Sequence, residues 1–285
     1  MWWKKHKDKL LMGGLALVLL IAVYWYGGSA PGMQGWTVEK PPAQTQEVPE
    51  VVETTESLPE EVPQEAPDTQ ADLDSRPGGT EGGMTAQEKE EAAKELAPET
   101  EFVPEAGDES WSSLQGMVID PGTGKDLYLT DPVPEGKPVP VEPENVTISD
   151  KAYTCTLTVR CDTILDHLGW LDPAKTDLVP ADGVIFPQTT VTFYEGESVF
   201  NLLQREMKKA GIHMEFVNTP IYNSAYIEGI GNLYEFDCGE LSGWTYRVNG
   251  WFPNYGCSRY QLQPGDTVEW LYTCKLGLDV GADLM

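Results

Sequence analysis

Read for the alternation of apolar and polar positions, the chain divides sharply near residue 145. Beyond that point short periodic segments come in close succession. Tyr153–Cys161 alternates strictly, with Tyr153, Cys155, Leu157, Val159 and Cys161 on one face and Thr154, Thr156, Thr158 and Arg160 on the other. This is the pattern of a half-buried strand. Val191–Tyr194 forms a second strand, ended by Glu195-Gly196-Glu197. Ser198 then sits where a helix N-cap belongs. Val199, Leu202, Leu203, Met207 and Ala210 recur at helical spacing, and Gly211 comes after Lys208 and Lys209 as a stop. Ile212, Met214 and Phe216 alternate again, up to Asn218-Thr219-Pro220.

Ile221–Cys238 is rich in turn residues, with short strands expected around Tyr226–Glu228 and Tyr234–Phe236. Trp244–Val248, Asn249-Gly250 and Trp251-Phe252 form the strongest hairpin signal in the chain, because Asn-Gly suits a turn with two positive φ angles. Pro264-Gly265-Asp266 turns into a last strand, Thr267–Cys274, with Val268, Trp270, Tyr272 and Cys274 on one face. The long insertion Thr163–Pro187 carries Ile164, Leu165, Leu168, Trp170 and Leu171, spaced for a helical turn that covers a sheet edge. Several strands with one main helix imply an α+β domain over residues 145–277, with the helix on one sheet face and a short tail at 278–285. A β-grasp-like mixed sheet fits, with the first and last strands parallel and adjacent at its centre.

The preceding part has none of this periodicity. Lys4, Lys5, Lys7 and Lys9 lie in a basic tail, 1–9, ahead of the uncharged run Leu10–Tyr26. Seventeen residues is the lower edge of a single transmembrane helix, and Trp2, Trp3, Tyr24, Trp25 and Tyr26 are placed as interfacial aromatics. The lysines put the N-terminus inside and the rest of the chain outside a cell membrane. A signal anchor and a cleaved signal share this charge order, and both export the remainder of the chain. Residues 27–144 read as a disordered acidic linker. Sixteen of the 22 prolines lie in 31–144, and 37–110 holds 21 acidic residues against four basic ones, with Phe102 as its lone aromatic. Such a stretch buries too little apolar surface to offset the entropy of ordering, and its charge extends it into a stalk. Within it Ala86–Leu96 has the composition of a short acidic helix, and Leu127-Tyr128-Leu129 is placed to lie against the adjoining domain.

Composition then narrows the chemistry. The net charge of −27 resolves into +3 for residues 1–36, −17 for the stalk core, −4 for 111–144 and −9 for 145–285. No basic patch is present to neutralise phosphates, which excludes a nucleic-acid partner. No catalytic constellation emerges. Three histidines are scattered, no G-x-S-x-G occurs, and no cysteine–histidine spacing matches a zinc site. Asp162, Asp166 and Asp172 near His167 read as a solvated acidic loop. The reading is therefore a non-enzymatic protein with no metal.

Nineteen of the 28 aromatics lie in 145–285. Trp244, Tyr246, Asn249, Trp251, Phe252, Asn254, Tyr255 and Tyr260 are the candidate binding residues, since an aromatic patch rimmed by amides marks a recognition surface. The five cysteines favour disulfides in an exported domain. Cys238 and Cys257 flank the hairpin, and Cys161 and Cys274 fall at like-facing ends of parallel strands, so these two pairs are expected, with Cys155 left over or in the place of Cys161. Reduced buried thiols are the alternative.

Gly243-Trp244-x-Tyr246-x-Val248-Asn249-Gly250, then Gly256-Cys257, then Tyr260-x-Leu262-x-x-Gly265-Asp266-x-Val268-Glu269-Trp270-x-Tyr272 resembles the transcobalamin C-terminal-like domain, found in bacterial surface proteins and largely of unknown function. The resemblance covers roughly residues 150–275 and implies a β-grasp fold. It also implies a corrinoid (cobalamin) as possible ligand. In the animal carriers a similar domain closes over a corrinoid held against a helical toroid. Residues 27–144 cannot form a toroid, so a partner protein would supply the other half of the site. The alternative function is a surface adhesion or structural module with no small-molecule ligand.

Overall fold

A computed structural model describes residues 75–79, 83–96 and 106–282. All lie in the compact unit Pro63–Met285. The basic tail, the expected membrane segment 10–26 and most of the stalk fall outside the described residues. Among the described residues no helix is long and apolar enough to cross a membrane.

Among the described residues two short helices precede the strands, α1 (Ala86–Leu96) and α2 (Glu109–Leu114). After them come β1 (Ala152–Arg160), β2 (Val184–Tyr194), α3 (Val199–Ala210), β3 (Met214–Thr219), β4 (Ser224–Ile230), β5 (Leu233–Tyr234), β6 (Gly243–Val248) and β7 (Thr267–Thr273). The fold is mixed α+β with two sheets. One has the order β2-β1-β7-β6, the other β3-β4-β5. β1 and β7 are parallel neighbours at the centre of the larger sheet, with Leu157 opposite Val268 and Val159 opposite Trp270. This is the central pairing expected from the order of the elements. The strands of the second sheet overlap the segments expected at 212–216, 226–228 and 234–236, but their separation from the larger sheet was not foreseen. β2 also begins seven residues earlier than its apolar signal.

Helix α3 forms as its sequence requires. Ser198 and Asn201 close a reciprocal capping box, and Gly211 ends the helix at φ 68°. Its buried face, Val199, Leu202, Leu203 and Met207, joins Leu157 and Val159 of β1, Phe193 of β2 and Val268 and Trp270 of β7 in one core cluster. The far end of the same sheet face is covered differently. A run of 3-10 turns, Asp162–Trp170, places Ile164 and Leu171 with Leu233, Tyr272 and three cysteines in a second cluster. The apolar stripe of β7 thus passes under two separate lids.

The main correction concerns 106–144, which the composition assigns to the disordered linker. These residues pack on the domain as an arm. Val133 and Ser112 are fully buried, and the Ser112 hydroxyl accepts from Val133 N–H at 2.9 Å. Trp111 Nε1 donates to Lys137 O at 3.0 Å, and Tyr255 Oη donates to Pro138 O at 2.7 Å. The arm is fastened by Arg259, only 1 % exposed. Its guanidinium reaches Asp126 Oδ2 at 2.7 Å, Glu142 Oε1 at 2.8 Å and Thr130 Oγ1 at 2.7 Å, and lies over the Tyr128 ring at 5.0 Å. Tyr128 therefore lies against the domain as expected, while Leu127 is 83 % exposed. The arm was illegible because its apolar residues are isolated between prolines, and its ionic partner lies 117 or more residues away.

Removing one member of a buried ion cluster strands the others without compensation. Arg259→Ala is therefore expected to lower stability by about 3–5 kcal/mol in urea unfolding. It should also open the 106–144 arm to limited proteolysis.

Candidate functional site

The hairpin forms as the Asn-Gly signal requires. Asn249 and Gly250 have φ of 53° and 78°, and Val248 and Trp251 exchange backbone hydrogen bonds at 2.8 and 3.0 Å. Asn249 is used up by the turn. Its amide donates to Asp266 Oδ1 at 2.8 Å, and its oxygen accepts from Thr267 N–H at 2.9 Å. Burial raises the Asp266 carboxyl above its ordinary value, partly offset by hydrogen bonds from Gln263 N–H and Asn249. The base of the hairpin loop crosses close to β4, where a side chain at Gly256 would collide with Ser224. That contact accounts for the glycine of the Gly256-Cys257 pair.

The eight candidate residues separate into two groups. Tyr246, Tyr255 and Tyr260 are buried core residues. Tyr246 Oη donates to Tyr255 O at 2.8 Å, and the Tyr255 and Tyr260 rings stack at 6.2 Å. Burial drives the phenols of Tyr246 and Tyr255 well above the ordinary tyrosine value. The physical reason is the arm, which supplies the acceptor at Pro138 and covers the loop from outside.

Trp244, Asn249, Trp251, Phe252 and Asn254 stay together along one groove of about 930 Å³. Trp244 is half-buried, with its Nε1 donating to Leu233 O at 2.8 Å and its ring edge-on to Tyr272. Trp251 is flanked by Lys137 Nζ at 5.7 Å, and Phe252 by the Arg247 guanidinium at 5.8 Å. Arg247 is held in turn by Glu269 through two bonds of 2.5 and 2.9 Å. Asn254 donates to Asp131 O at 3.0 Å, while its side-chain oxygen is buried with no partner. The groove also contains residues that the alternation pattern missed. Phe236, Tyr226 and Leu276 line it and are 52, 45 and 42 % exposed. Phe236 lies in the turn-rich stretch 221–238, but only the folding of β4 and β5 shows that it shares a groove with Trp244.

The groove runs beside the outer edge of β6. Asn249 N–H bonds to Thr267 O on β7. By antiparallel alternation, Arg247 and Thr245 also bond to β7, and the N–H and C=O groups of Trp244 and Tyr246 point the other way. Among the described residues no strand pairs with that edge.

The cysteines are five buried free thiols. Cys238 lies in the second core cluster with Cys161 and Cys274, whereas Cys257 belongs to the first. The expected Cys238–Cys257 staple is therefore not the arrangement found, because the two thiols are packed in different core clusters. Cys257 instead donates to Ala225 O at 3.4 Å. The expected Cys161–Cys274 pair does share a cluster, as the parallel β1–β7 pairing required, but the two are free thiols there as well. Burial pushes the Cys155, Cys161 and Cys257 thiols up to about 12.

Residues 196–273, about a quarter of the chain, match the family model of a domain of unknown function, DUF4430. No curated protein matches the chain. Among similar solved structures is haptocorrin in complex with Cbi, at 16 % identity and a TM-score of 0.31, over 44 % of this chain and 26 % of that one. The chain thus spans about a quarter of that protein's length.

A thiol raised to about 12 is ionised in roughly one molecule in 10⁴ at pH 8, and the thiolate is the reactive form. In the reduced native protein at pH 8, Cys155, Cys161 and Cys257 are expected to resist iodoacetamide, and to label fully once urea unfolds the chain. Mass spectrometry of the labelled peptides reads the result.

Proposed function

We propose that this protein is a non-enzymatic binding protein whose ligand enters the groove beside the 244–254 hairpin. The observation that carries this reading is the groove itself. Its volume of about 930 Å³ falls in the range of about 300–1,000 Å³ usual for small-molecule sites. Trp244, Trp251, Phe252 and Phe236 supply its apolar walls. A flat, partly apolar ligand suits this lining. The resemblance of the 243–272 motif to the transcobalamin C-terminal-like domain makes a corrinoid the first candidate, on a β-grasp scaffold. A groove open along one side would leave much of such a ligand uncovered, which is the reason to place a second protein over it. Part of this proposal is the setting, a single-pass anchor at 10–26 that holds the domain outside the cell membrane.

The unpaired edge of β6 favours a second reading. Backbone groups of Trp244 and Tyr246 are free to pair with an extended segment of a partner, as in strand addition. In that case the protein is an adhesion or structural module and the aromatics are anchors for side chains.

Titration of the full-length chain in detergent with cyanocobalamin, measured by calorimetry, separates the two. Under the first reading heat is released, and Trp251→Ala weakens binding by about 10- to 100-fold. That variant should move the melting temperature by less than about 3 °C, because Trp251 is only half-buried. Absence of heat, both alone and with a helical partner protein, would remove the corrinoid and leave the partner-strand reading.

A further inference from the structure

A second cavity forms where four stretches of chain meet, and it shares no lining residue with the hairpin groove. The arm contributes from 141–148, the start of α3 from 198–201, the β3–β4 connection from 218–225 and the loop before β7 from 258–261. Its volume of about 460 Å³ falls within the range of about 300–1,000 Å³ usual for small-molecule sites. The walls are fixed by bonds of their own. Ser258 N–H donates to Ser224 Oγ, and Ala225 N–H to Ser258 Oγ, both at 3.0 Å. Asn223, at φ 48°, donates its amide to Glu142 at 2.7 Å and to Glu144 at 3.0 Å, which ties the β3–β4 connection to the arm. Ser198 and Gln261 form an isolated antiparallel bridge. At Gly196 a side chain would collide with Thr147 O, so the arm passes directly against the turn that starts α3.

The lining selects against charged ligands. Among the described residues no ionisable side chain lines the cavity. It touches the N-terminus of α3, where free N–H groups could hold an anion. Those groups are already used. Val199 N–H donates to Tyr260 O at 3.1 Å, Phe200 N–H to Cys257 O at 3.2 Å and Asn201 N–H to Ser198 Oγ at 3.2 Å. The carboxylates of Glu142 and Glu144 beside Asn223 repel an anion further. A cation gains little from Glu142, which is paired with Arg259 at 2.8 Å. What remains is a set of neutral amides. The Asn201 side-chain oxygen accepts from the Ser198 N–H and hydroxyl at 2.9 and 2.8 Å, which leaves its NH₂ group unused. The side chains of Asn218 and Gln261 have no hydrogen-bond partner among the described residues. Phe200, Val146 and Ile148 add apolar wall, with the Phe200 ring held edge-on to Phe216 at 4.7 Å.

We propose that this cavity binds a neutral mono- or disaccharide. Sugar hydroxyls both donate and accept, as side-chain amides do, and the C–H face of a sugar ring is apolar. Asn218 and Gln261 pair with hydroxyls, the Asn201 NH₂ group donates to a sugar oxygen, and the C–H face rests on the wall that contains Phe200. Because the two cavities share no residue, a saccharide here leaves the hairpin groove free for its own ligand.

The test is a saturation-transfer NMR titration of the full-length chain in a sugar-free detergent. The probes are glucose, galactose, mannose and N-acetylglucosamine with the disaccharides built from them, and glucuronate and protonated glucosamine as charged counterparts. At least one neutral saccharide is expected to bind in the millimolar range, and its charged counterparts at least about tenfold more weakly. Asn218→Ala and Gln261→Ala should each weaken that binding by about 3- to 10-fold. Each should keep the melting temperature within about 3 °C of the wild type, since neither side chain holds another. Trp251→Ala, in the other groove, should leave the saccharide signal unchanged. Absence of a signal from every neutral saccharide, equal binding of glucuronate or glucosamine, or a signal lost in Trp251→Ala but kept in Gln261→Ala would overturn the proposal.

Discussion

Arg259 is 1 % exposed, and a guanidinium at that depth must be met by acceptors on several sides. The domain that contains it offers few. Asp126, Thr130, Glu142 and the Val141 carbonyl all come from the arm that precedes β1. The arm in turn has too little apolar surface to fold on its own. Each therefore makes the other possible. Once the arm is fastened, Tyr255 finds its acceptor at Pro138, and the tyrosines at the base of the hairpin become core. Trp251 and Phe252 stay half-buried, and they line the groove together with arm residues such as Lys137.

The second organising feature is the apolar stripe of β7. Val268 and Trp270 meet α3, while Tyr272 and Cys274 meet the 162–171 turns and Leu233. Two unrelated lids on one strand face divide the interior into two compartments, and the cysteines sort between them. Cys155 and Cys257 lie in the helix compartment; Cys161, Cys238 and Cys274 lie in the other. A pairing deduced from flanking positions alone, such as Cys238 with Cys257, crosses this division.

The charge belongs to a different level of organisation. Most of the −27 lies ahead of β1, in 37–110. Inside the domain, charged groups are consumed in pairs. Arg247 holds Glu269, Arg205 holds Glu206, and Lys175 holds Asp237. Around the groove Lys89 and Lys137 stand with Asp131 and Glu240, so the lining has no strong sign of its own. Its character is set by aromatic surface. The acidic composition says little about it.

The elements with strong local rules were legible in the chain. The alternation in β1 and β7, the capped helix α3 and the Asn249-Gly250 turn each depend on residues within a few positions of one another. The parallel neighbour relation of β1 and β7 could be read from their order. The separation of β3-β4-β5 into its own sheet, the arm and the depth of Tyr246, Tyr255 and Tyr260 were not legible, because each depends on partners brought from far along the chain. Burial is a property of what covers a residue, and a strictly local pattern cannot say what that will be. The sequence by itself determined that an aromatic hairpin would form. Only the tertiary structure decided which of its rings would stay at the surface, because the covering arm is held by Arg259, whose acidic partners lie 117 and 133 residues away.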